Sequence, residues 1–286
     1  MSIEVRNLTF TYAPGMPDET LAIDDISFSI ADGQICGIIG HTGSGKSTLL
    51  QHLNGLLKPG SGEIYIDDAC ITDGKTKLVD IRKKVGLVFQ YPEYQLFEET
   101  VAKDVAFGPK NLGLDAEEID KRVRDAIAVV GLDYEEVSEK SPFELSGGQK
   151  RRVAIAGVIA MNPKILILDE PTAGLDPTAH AEVISMVKDI HEKLGIIMIF
   201  VSHNMRDIAN LSDKVLVINE GKIALEGTPR EVFAERAFLQ SMGLDVPPIV
   251  NIVKKLEEKT EDFTTEALTA DEAADEICAY INKQNR

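Results

Sequence analysis

The stretch Gln34–Ser47, with the sequence QICGIIGHTGSGKS, decides the fold of this 286-residue chain. It begins with a short apolar run that predicts a buried β-strand, and helical sequence starts at Lys46. Between them, Gly40–Ser47 matches the pattern GxxxxGK(S/T) at every fixed position, in the strand–loop–helix context that the pattern requires. The glycines let backbone N–H groups turn toward phosphate oxygens, and the helix N-terminus adds partial positive charge. The stretch therefore predicts a site for the phosphates of a nucleotide.

The side chains of this loop predict the chemistry of binding. Lys46 is expected to reach the β- and γ-phosphates of ATP, and the Ser47 hydroxyl is expected to bind Mg²⁺. His41 stands at a variable position of the pattern, which favours an exposed loop side chain over a catalytic one. The nucleotide-binding residues predicted here are Gly40, His41, Thr42, Gly43, Ser44, Gly45, Lys46, Ser47 and Thr48.

Strand patterns alternate with helical patterns along most of the chain. Apolar or alternating runs predict strands at 3–10, 21–30, 34–39, 63–66, 85–89, 165–168, 196–201 and 214–218. Helices are expected at Lys46–Leu57 and Ala179–Leu194. This alternation indicates an α/β fold with a mostly parallel sheet. The segment between Gln90 and Pro163 is helical instead and predicts an inserted subdomain at about 91–162, and from about 229 the chain is helical and charged.

Charge argues against one class of function. The formal net charge is -17, with 47 acidic and 30 basic residues. Sequence-independent DNA or RNA binding relies on Lys and Arg to neutralise phosphates. We therefore expect no nucleic-acid partner, and the acidity is typical of a soluble, self-repelling surface.

The chain is also not expected to enter a membrane by itself. The N-terminus MSIEVRNLTF alternates like a strand and does not resemble a signal peptide. The most apolar runs, Val153–Met161 and Ile196–Val201, are much shorter than the roughly 18 residues that a membrane span needs. Three widely spaced cysteines indicate reduced thiols in the cytosol, since they contain neither a CxxC pair nor an even-numbered framework. In a membrane process, this chain is expected to dock onto other proteins.

Two carboxylates follow the apolar run Ile165–Leu168. A buried strand would deliver Asp169 and Glu170 to the carboxyl edge of the sheet, where ligands bind in open α/β folds. Asp169 would hold Mg²⁺, and Glu170 would orient or deprotonate the attacking water. Without the phosphate loop upstream, the pair could equally be solvated acids at a strand end. His203 and Gln90 each follow another strand, and we expect His203 to contact the γ-phosphate and Gln90 to contact both Mg²⁺ and the water.

The pentapeptide Leu145–Gln149, LSGGQ, is the second glycine-rich element. A serine and two glycines at a helix start make a second anion-binding terminus. Since the first loop already supplies one phosphate site, the second is expected to serve a phosphate on another subunit. The expected contacts are Ser146, Gly147, Gly148 and Gln149. Taken alone, the pentapeptide could also be an ordinary serine cap with a flexible loop.

At this point the chain resembles the ABC (ATP-binding cassette) ATPase family over nearly all of residues 3–228. The family motifs occur in order: an aromatic A-loop, Walker A, Q-loop, LSGGQ, Walker B, D-loop and switch histidine, at Tyr12, Gly40–Ser47, Gln90, Leu145–Gln149, Ile165–Glu170, Ala173–Asp176 and His203. The resemblance implies a head-to-tail dimer with two ATP molecules, each between the Walker A of one subunit and the LSGGQ of the other. It also implies nucleotide contacts for Tyr12 and Asp176, with Tyr12 stacking on adenine. From the sequence alone, Tyr12 could equally be a strand aromatic in the core.

The segment Phe89–Asn111, FQYPEYQLFEETVAKDVAFGPKN, is similar to the ATPases of energy-coupling-factor transporters, in particular the second of their two ATPase components. These transporters import vitamins and transition-metal ions in prokaryotes. The resemblance implies a heterodimer with a partner ATPase and a transmembrane coupling protein. A substrate-binding membrane protein would be an indirect partner, and this chain would lie peripherally on the cytoplasmic face of the membrane.

The implied fold is a P-loop NTPase core with an antiparallel β subdomain, an inserted helical subdomain and a C-terminal helical extension. We expect an ATPase domain at 1–228 and an extension at 229–286 that contacts the partner ATPase. Three alternatives stay open: the ATPase of another ABC importer, a soluble ABC ATPase of translation or DNA repair, and a non-hydrolysing regulator. A second cassette or a long coiled-coil insert is absent from the sequence, which disfavours the soluble class. The full set of Glu170, Gln90 and His203 disfavours the regulator.

The segment after Gln90 also predicts where the membrane partner docks. It places aromatics beside acids, which suits a short partner helix that bears an arginine. We expect Glu93 or Glu98 to pair with that arginine and Phe97 to pack beneath it. The alternative is a charged surface turn whose aromatics belong to the local core.

Overall fold

The computed structural model describes residues 2–260 and 263–284, which form two β-sheets surrounded by helices. The strands are β1 (Ile3–Tyr12), β2 (Thr20–Ile30), β3 (Ile35–Ile39), β4 (Ser61–Ile66), β5 (Ala69–Cys70), β6 (Val85–Val88), β7 (Ile165–Asp169), β8 (Ile197–Val201), β9 (Lys214–Asn219) and β10 (Lys222–Gly227). One sheet has the order β10-β9-β3-β8-β7-β6 and the other has the order β2-β1-β4-β5. This confirms the predicted combination of a mostly parallel sheet with an antiparallel β subdomain.

The six-stranded sheet is parallel from β9 to β6, and only β10 runs antiparallel to its neighbour. All residues of β3, β7 and β8 are buried, so these strands are continuous apolar runs rather than alternating ones. Parallel strands have this pattern because other layers cover both of their faces. The edge strand β10 is mixed in polarity, which explains why its sequence did not predict a strand.

The helices are α1 (Lys46–Leu53), α2 (Leu78–Lys84), α3 (Val101–Asn111), α4 (Ala116–Val129), α5 (Tyr134–Val137), α6 (Gly147–Ile159), α7 (Pro177–Leu194), α8 (Met205–Leu211), α9 (Pro229–Ala234), α10 (Arg236–Ser241), α11 (Pro248–Glu257) and α12 (Ala270–Gln284). Short 3₁₀ helices occur at Pro92–Gln95 and Pro142–Glu144. The predicted helix from Lys46 is shorter than expected, because Gly55 adopts a left-handed backbone (φ +68°) just after its end. Residues 91–162 contain helices and no strand.

The six-stranded sheet separates two apolar cores. Leu166 and Leu168 of β7 face the helical insert, where they join residues of α3, α4, α6 and α7. Ile165 and Ile167 face the other way, into a core shared with α1 and the antiparallel sheet. The alternation of side chains along one strand thus divides the molecule into layers.

The C-terminal extension has two parts. Phe233 of α9 and Leu239 of α10 belong to the larger apolar core of the ATPase unit. Val253 and Phe263 instead anchor a small separate cluster between α11 and α12. No helix in the described ranges is both long and apolar enough to cross a bilayer.

This division predicts different consequences for two similar substitutions. Phe233→Ala should lower the free energy of unfolding of the whole ATPase unit by about 3–5 kcal/mol, the usual loss for a buried Phe, since this ring is 1% exposed in the main core. Phe263→Ala should open only α11 and α12. Hydrogen exchange followed by mass spectrometry distinguishes the two, because protection of β7 should fall in Phe233→Ala and persist in Phe263→Ala. Equal loss of β7 protection in both variants would contradict this division.

Candidate active site

Four neighbouring strands deliver the predicted motifs to one edge of the six-stranded sheet. The strands β3, β8, β7 and β6 are adjacent and parallel, so their carboxyl ends lie side by side. The residues that follow these ends are Gly40, His203, Glu170 and Gln90. Topology therefore brings together residues that are up to 163 positions apart in the chain.

The phosphate loop runs from Gly40 to Gly45, between β3 and α1. Two of its glycines have no substitute. A Cβ on Gly40 would lie 2.3 Å from the Ile218 carbonyl oxygen, and Gly45 has a φ of +107°, which side chains disfavour. Gly40 lets the loop approach β9, and Gly45 lets it approach Ala22 of β2.

Lys46 is the first residue of α1, and its side chain reaches back into this loop, where it is almost fully buried. Its Nζ donates to the carbonyl oxygens of Gly40 (2.7 Å) and His41 (2.9 Å). Burial lowers the pKa of Lys46, while the charges of Glu170 and Asp169 act to raise it. Beside it, the Ser44 hydroxyl oxygen is buried without a hydrogen-bond partner. A buried orphan hydroxyl and a buried ammonium in one loop fit an anionic group such as a phosphate.

The structure shows the side-chain contacts of two predicted nucleotide-binding residues, Tyr12 and His41. The Tyr12 ring is 39% exposed and its hydroxyl lies 3.2 Å from the Thr48 hydroxyl, at the start of α1. The alternative that Tyr12 is a core aromatic is therefore wrong, while its stacking on adenine stays a prediction. The Nδ1 atom of His41 lies 2.8 Å from the Thr42 carbonyl oxygen, so this ring is held within the loop.

Asp169 ends β7 and is buried, with the Ser47 hydroxyl beside its carboxylate. Burial raises the pKa of Asp169, and the Ser47 hydrogen bond acts in the opposite direction. Carboxylate and hydroxyl oxygens are suitable ligands for Mg²⁺, which also keeps water and substrate oxygens. Within residues 2–260 and 263–284, no group of three or more His, Cys, Asp or Glu residues is arranged to hold a metal. Asp169 and Ser47 would therefore bind an ion together with phosphate oxygens.

Glu170 stands at the centre of the predicted catalytic residues. Its Oε2 accepts a hydrogen bond from Gln90 Nε2 (2.9 Å), and its Oε1 lies 2.8 Å from His203 Nε2. Its backbone is left-handed (φ +49°), a conformation that costs about 1–3 kcal/mol outside glycine. Such strain is common where a functional side chain must point in one direction. The structure thus brings Gln90, Glu170 and His203 into direct contact, as the sequence predicts.

The LSGGQ segment forms the start of α6. Ser146 and Gln149 make a reciprocal capping box, in which each side chain accepts from the backbone N–H of the other residue. A Cβ on Gly147 would meet no atom within 4 Å, so this end of the helix is open. The exposed N-terminus of a 13-residue helix is suited to an anion supplied by another molecule.

Asp176 caps α7 by accepting from the backbone N–H groups of Thr178 (2.9 Å) and Ala179 (3.0 Å). The structure thus shows a helix-capping function for Asp176, and its contact with nucleotide stays a prediction.

The expectation for Glu93 is wrong. Its carboxylate is engaged within the chain by Arg151 of α6, at 2.6 and 3.0 Å. Glu93 therefore cannot offer a free charge to an arginine of a membrane partner. Sequence analysis missed Arg151, which lies in the basic run Lys150–Arg152 between LSGGQ and the apolar stretch VAIAGVI.

The raised pKa of Asp169 predicts that this carboxylate lowers the stability of the folded protein at neutral pH, although we assign it a functional role. Because burial raises this pKa, the folded state binds a proton at Asp169 more readily than the unfolded state does. Its stabilising contribution is complete below the unfolded pKa of about 3.9 and is lost as the pH rises through the folded value. Asp169→Asn should therefore raise the melting temperature of the nucleotide-free, magnesium-free protein at pH 7, and the gain should shrink toward pH 4.

Asp18→Asn, at an exposed acid in the turn between β1 and β2, is the matched control and should change little. The measurement is differential scanning calorimetry across this pH range. A lower melting temperature for Asp169→Asn at pH 7 would contradict the prediction.

Comparison with known proteins identifies the family. The family model described as ABC transporter matches residues 23–173. Relatives named energy-coupling factor transporter ATP-binding protein EcfA2 are 58% identical in Caldanaerobacter subterraneus and 59% identical in Clostridioides difficile, each over 98% of both chains.

Solved structures support the same assignment. The structure of cbiO1 from Clostridium perfringens, described as part of the ABC transporter complex cbiONQ, has a TM-score of 0.75 and 40% identity, and the match covers 88% of this chain and 98% of that one. A dimeric ATP-binding cassette in a post-hydrolysis state with ADP and Pi has a TM-score of 0.69 and 30% identity, over 79% and 98% of the two chains. The chain belongs to the ABC transporter family, within the group of energy-coupling factor transporter ATP-binding proteins.

Proposed function

We propose that this chain is an ATP-binding and ATP-hydrolysing subunit that energises import of a micronutrient, a vitamin or a transition-metal ion, through an energy-coupling-factor transporter. The observation that carries this proposal is the Glu170 carboxylate, held by Gln90 and His203 at the same sheet edge as the phosphate loop. Near full-length similarity to energy-coupling factor ATP-binding proteins supports the transport class.

In the proposed mechanism, the phosphates of ATP bind to the backbone N–H groups of the loop that begins at Gly40. Lys46 exchanges its two loop carbonyl partners for β- and γ-phosphate oxygens, and the orphan hydroxyl of Ser44 donates to a phosphate oxygen. Tyr12, which is exposed beside Thr48, stacks on adenine. These exchanges are favourable because the loop already places its donors around one small volume.

Ser47, Asp169 and Gln90 are the residues that we assign to Mg²⁺. When bound, Mg²⁺ neutralises charge on the phosphate oxygens. The Ser47 hydroxyl and the Asp169 carboxylate lie beside each other and offer two hard oxygen ligands at one place. Gln90 would reach this site by turning its amide away from Glu170.

Glu170 serves as the base in the proposed hydrolysis. It orients a water molecule for in-line attack on the γ-phosphorus and accepts a proton from it. A new P–O bond forms to the water oxygen, and the bond to the bridging oxygen breaks with its electron pair kept by ADP. Glu170 then passes its proton to the phosphate product, and ADP and phosphate are released. His203 keeps the carboxylate aimed and contacts the γ-phosphate when ATP is bound.

The proposed partner is a second ATPase, which forms a head-to-tail heterodimer with this chain. Each of the two ATP sites would then combine the phosphate loop of one subunit with the LSGGQ segment of the other. The open start of α6 at Ser146 and Gly147 would contact the γ-phosphate bound to the facing subunit, and Asp176 would lie close to this contact. The similar dimeric cassette in a post-hydrolysis state supports a paired arrangement. The C-terminal helices α11 and α12 are a further candidate contact with the partner ATPase. The strongly acidic composition continues to argue against a nucleic-acid partner.

The transmembrane coupling protein is proposed to bind an aromatic surface on the helical insert. Tyr94, Phe97 and Phe107, named here the docking patch, are 83%, 58% and 45% exposed. Phe97 and Phe107 pack edge to face with ring centroids 5.0 Å apart. The Asp104 carboxylate accepts the backbone N–H groups of both Phe97 and Glu98, which fixes this turn.

Adjacent exposed aromatic side chains are typical of a protein interface. With Glu93 engaged by Arg151, Glu98 is the acid that remains to pair with an arginine on a short cytoplasmic helix of the coupling protein. Through this contact the chain would be a peripheral protein on the cytoplasmic face of the membrane. It would affect the substrate-binding membrane protein only indirectly.

Glu170→Gln tests the proposed chemistry. It should lower ATP turnover by about a hundred-fold or more, the usual effect of losing a positioned base, and it should preserve ATP binding because the phosphate loop is untouched. Lys46→Ala should instead weaken ATP binding itself. Turnover and fluorescent-nucleotide binding are measured on the full chain with its partner ATPase. Wild-type turnover in Glu170→Gln would mean that another group activates the water.

A second experiment tests the docking patch. Phe97→Ala combined with Phe107→Ala should weaken capture of the coupling protein by about 2 kcal/mol or more per ring, as for central interface aromatics. Both rings are substantially exposed, so the chain should remain folded and bind ATP normally. Val79→Ala, at a 63% exposed residue of α2, is the control. Unchanged co-purification in mild detergent would exclude this patch, and recovery with an unrelated permease would indicate another importer class.

A further inference from the structure

Arg151 is a charged side chain in the interior of the molecule. It lies on α6, five residues after Ser146, and its side chain is 1% exposed. The Nε and Nη2 atoms donate to the two carboxylate oxygens of Glu93, at 3.0 and 2.6 Å. A buried guanidinium is stable only with a paired charge and satisfied donors, and this fork-shaped contact supplies both.

The same guanidinium also holds the turn that carries the catalytic base. Its Nη1 donates to the carbonyl oxygens of Pro171 (3.0 Å) and Ala173 (2.8 Å), immediately after Glu170. The Ala173 N–H in turn donates to the Glu170 carbonyl oxygen at 3.1 Å. The left-handed backbone of Glu170 is thus followed by a turn in which two carbonyl oxygens accept hydrogen bonds from Arg151.

These contacts close a ring of interactions around the site. Glu93 lies in the 3₁₀ helix that starts two residues after Gln90, and Gln90 is hydrogen-bonded to Glu170. From Glu170 the ring continues through its turn to Arg151, and from there to Glu93. Three separate segments therefore meet at one side chain: the segment after β6, the turn after β7 and the LSGGQ helix α6.

We propose that Arg151 and Glu93 are positioning residues for ATP hydrolysis. They hold the Glu170 turn and the Gln90 segment against α6, so the base has its productive orientation only while that helix is correctly placed. Since Ser146 at the start of α6 is proposed to contact ATP on the facing subunit, the pair ties the base of one site to the ATP of the other. This inference rests on the proposed function of Glu170.

Arginine is required for this role on geometric grounds. Its planar group has five N–H donors, and four of them are used here on Glu93, Pro171 and Ala173. A lysine ammonium in the same place has three donors and no planar fork. Arg151→Lys should therefore restore only part of the activity that Arg151→Met loses.

The test uses the full chain with its partner ATPase and measures kcat and KM for ATP. Arg151→Met should lower kcat roughly ten- to hundred-fold, as expected when a reacting group is misplaced by about an ångström. KM should stay within about two-fold, because the residues that bind ATP are unchanged. Arg152→Met is the matched control, since Arg152 is the next residue of α6 but pairs with Glu182 and the Val130 carbonyl, away from the site. Arg152→Met should keep wild-type kcat.

A double-mutant cycle keeps the test decisive if Arg151→Met folds poorly. Glu93→Gln preserves size and one acceptor oxygen, and it should lower kcat several-fold with unchanged KM. Combining Glu93→Gln with Arg151→Lys should reduce kcat by much less than the product of the two single losses, because both changes break one interaction. The proposal would be overturned if the kcat of the double variant fell by the full product of the two single losses. A kcat for Glu93→Gln equal to that of the wild type would also overturn it.

Glu170→Gln, assayed in parallel, separates two kinds of failure. If Glu170→Gln retains turnover, the assignment of the base is wrong and the positioning role falls with it. If Glu170→Gln loses turnover while Arg151→Met matches Arg152→Met in kcat, the base is correct and only the positioning role is wrong.

Discussion

The site depends on one constraint: four neighbouring parallel strands end at the same edge of a sheet that is covered on both faces. Parallel strands need this double cover, which the antiparallel sheet with α1 provides on one face and the helical insert on the other. Once both layers pack, the residues after β3, β6, β7 and β8 become neighbours. The glycine loop that begins at Gly40 and the Glu170 carboxylate then lie at one edge of the sheet.

Several features at this edge oppose stability. Lys46 is buried against its own loop carbonyls, the pKa of Asp169 is raised by burial, and Glu170 has a left-handed backbone. Under the proposed function, phosphate oxygens would replace the loop carbonyls as partners of Lys46, and a bound cation would favour the ionised form of Asp169. Ligand binding would therefore stabilise this edge, in addition to the two apolar cores that the six-stranded sheet separates.

The helical insert connects this chemistry with the proposed membrane contact. The docking patch lies on the chain segment that leaves Gln90 and on α3, and α3 packs against α6. Glu93, between Gln90 and Tyr94, is bound by Arg151 of α6. A displacement of the patch by a membrane partner would therefore act on the LSGGQ helix and on the Glu170 turn at the same time.

The sequence by itself determined the elements whose causes are local. The strand, glycine loop and helix around Gly40–Ser47, the cap at Ser146 and the apolar run before Asp169 depend on neighbouring residues, and so their patterns predicted them correctly. The convergence of Gln90 and His203 on Glu170 also followed, because parallel strands end at one edge.

Only the tertiary structure decided that Glu93 pairs with Arg151 rather than with a membrane partner. These residues are 58 positions apart on different helices, and their contact depends on how the insert packs against β6 and β7. Local pattern carries no information about such packing. The exposure of Tyr12 also depends on packing: its side chain is 39% exposed, although it ends a strand whose other apolar residues reach the core.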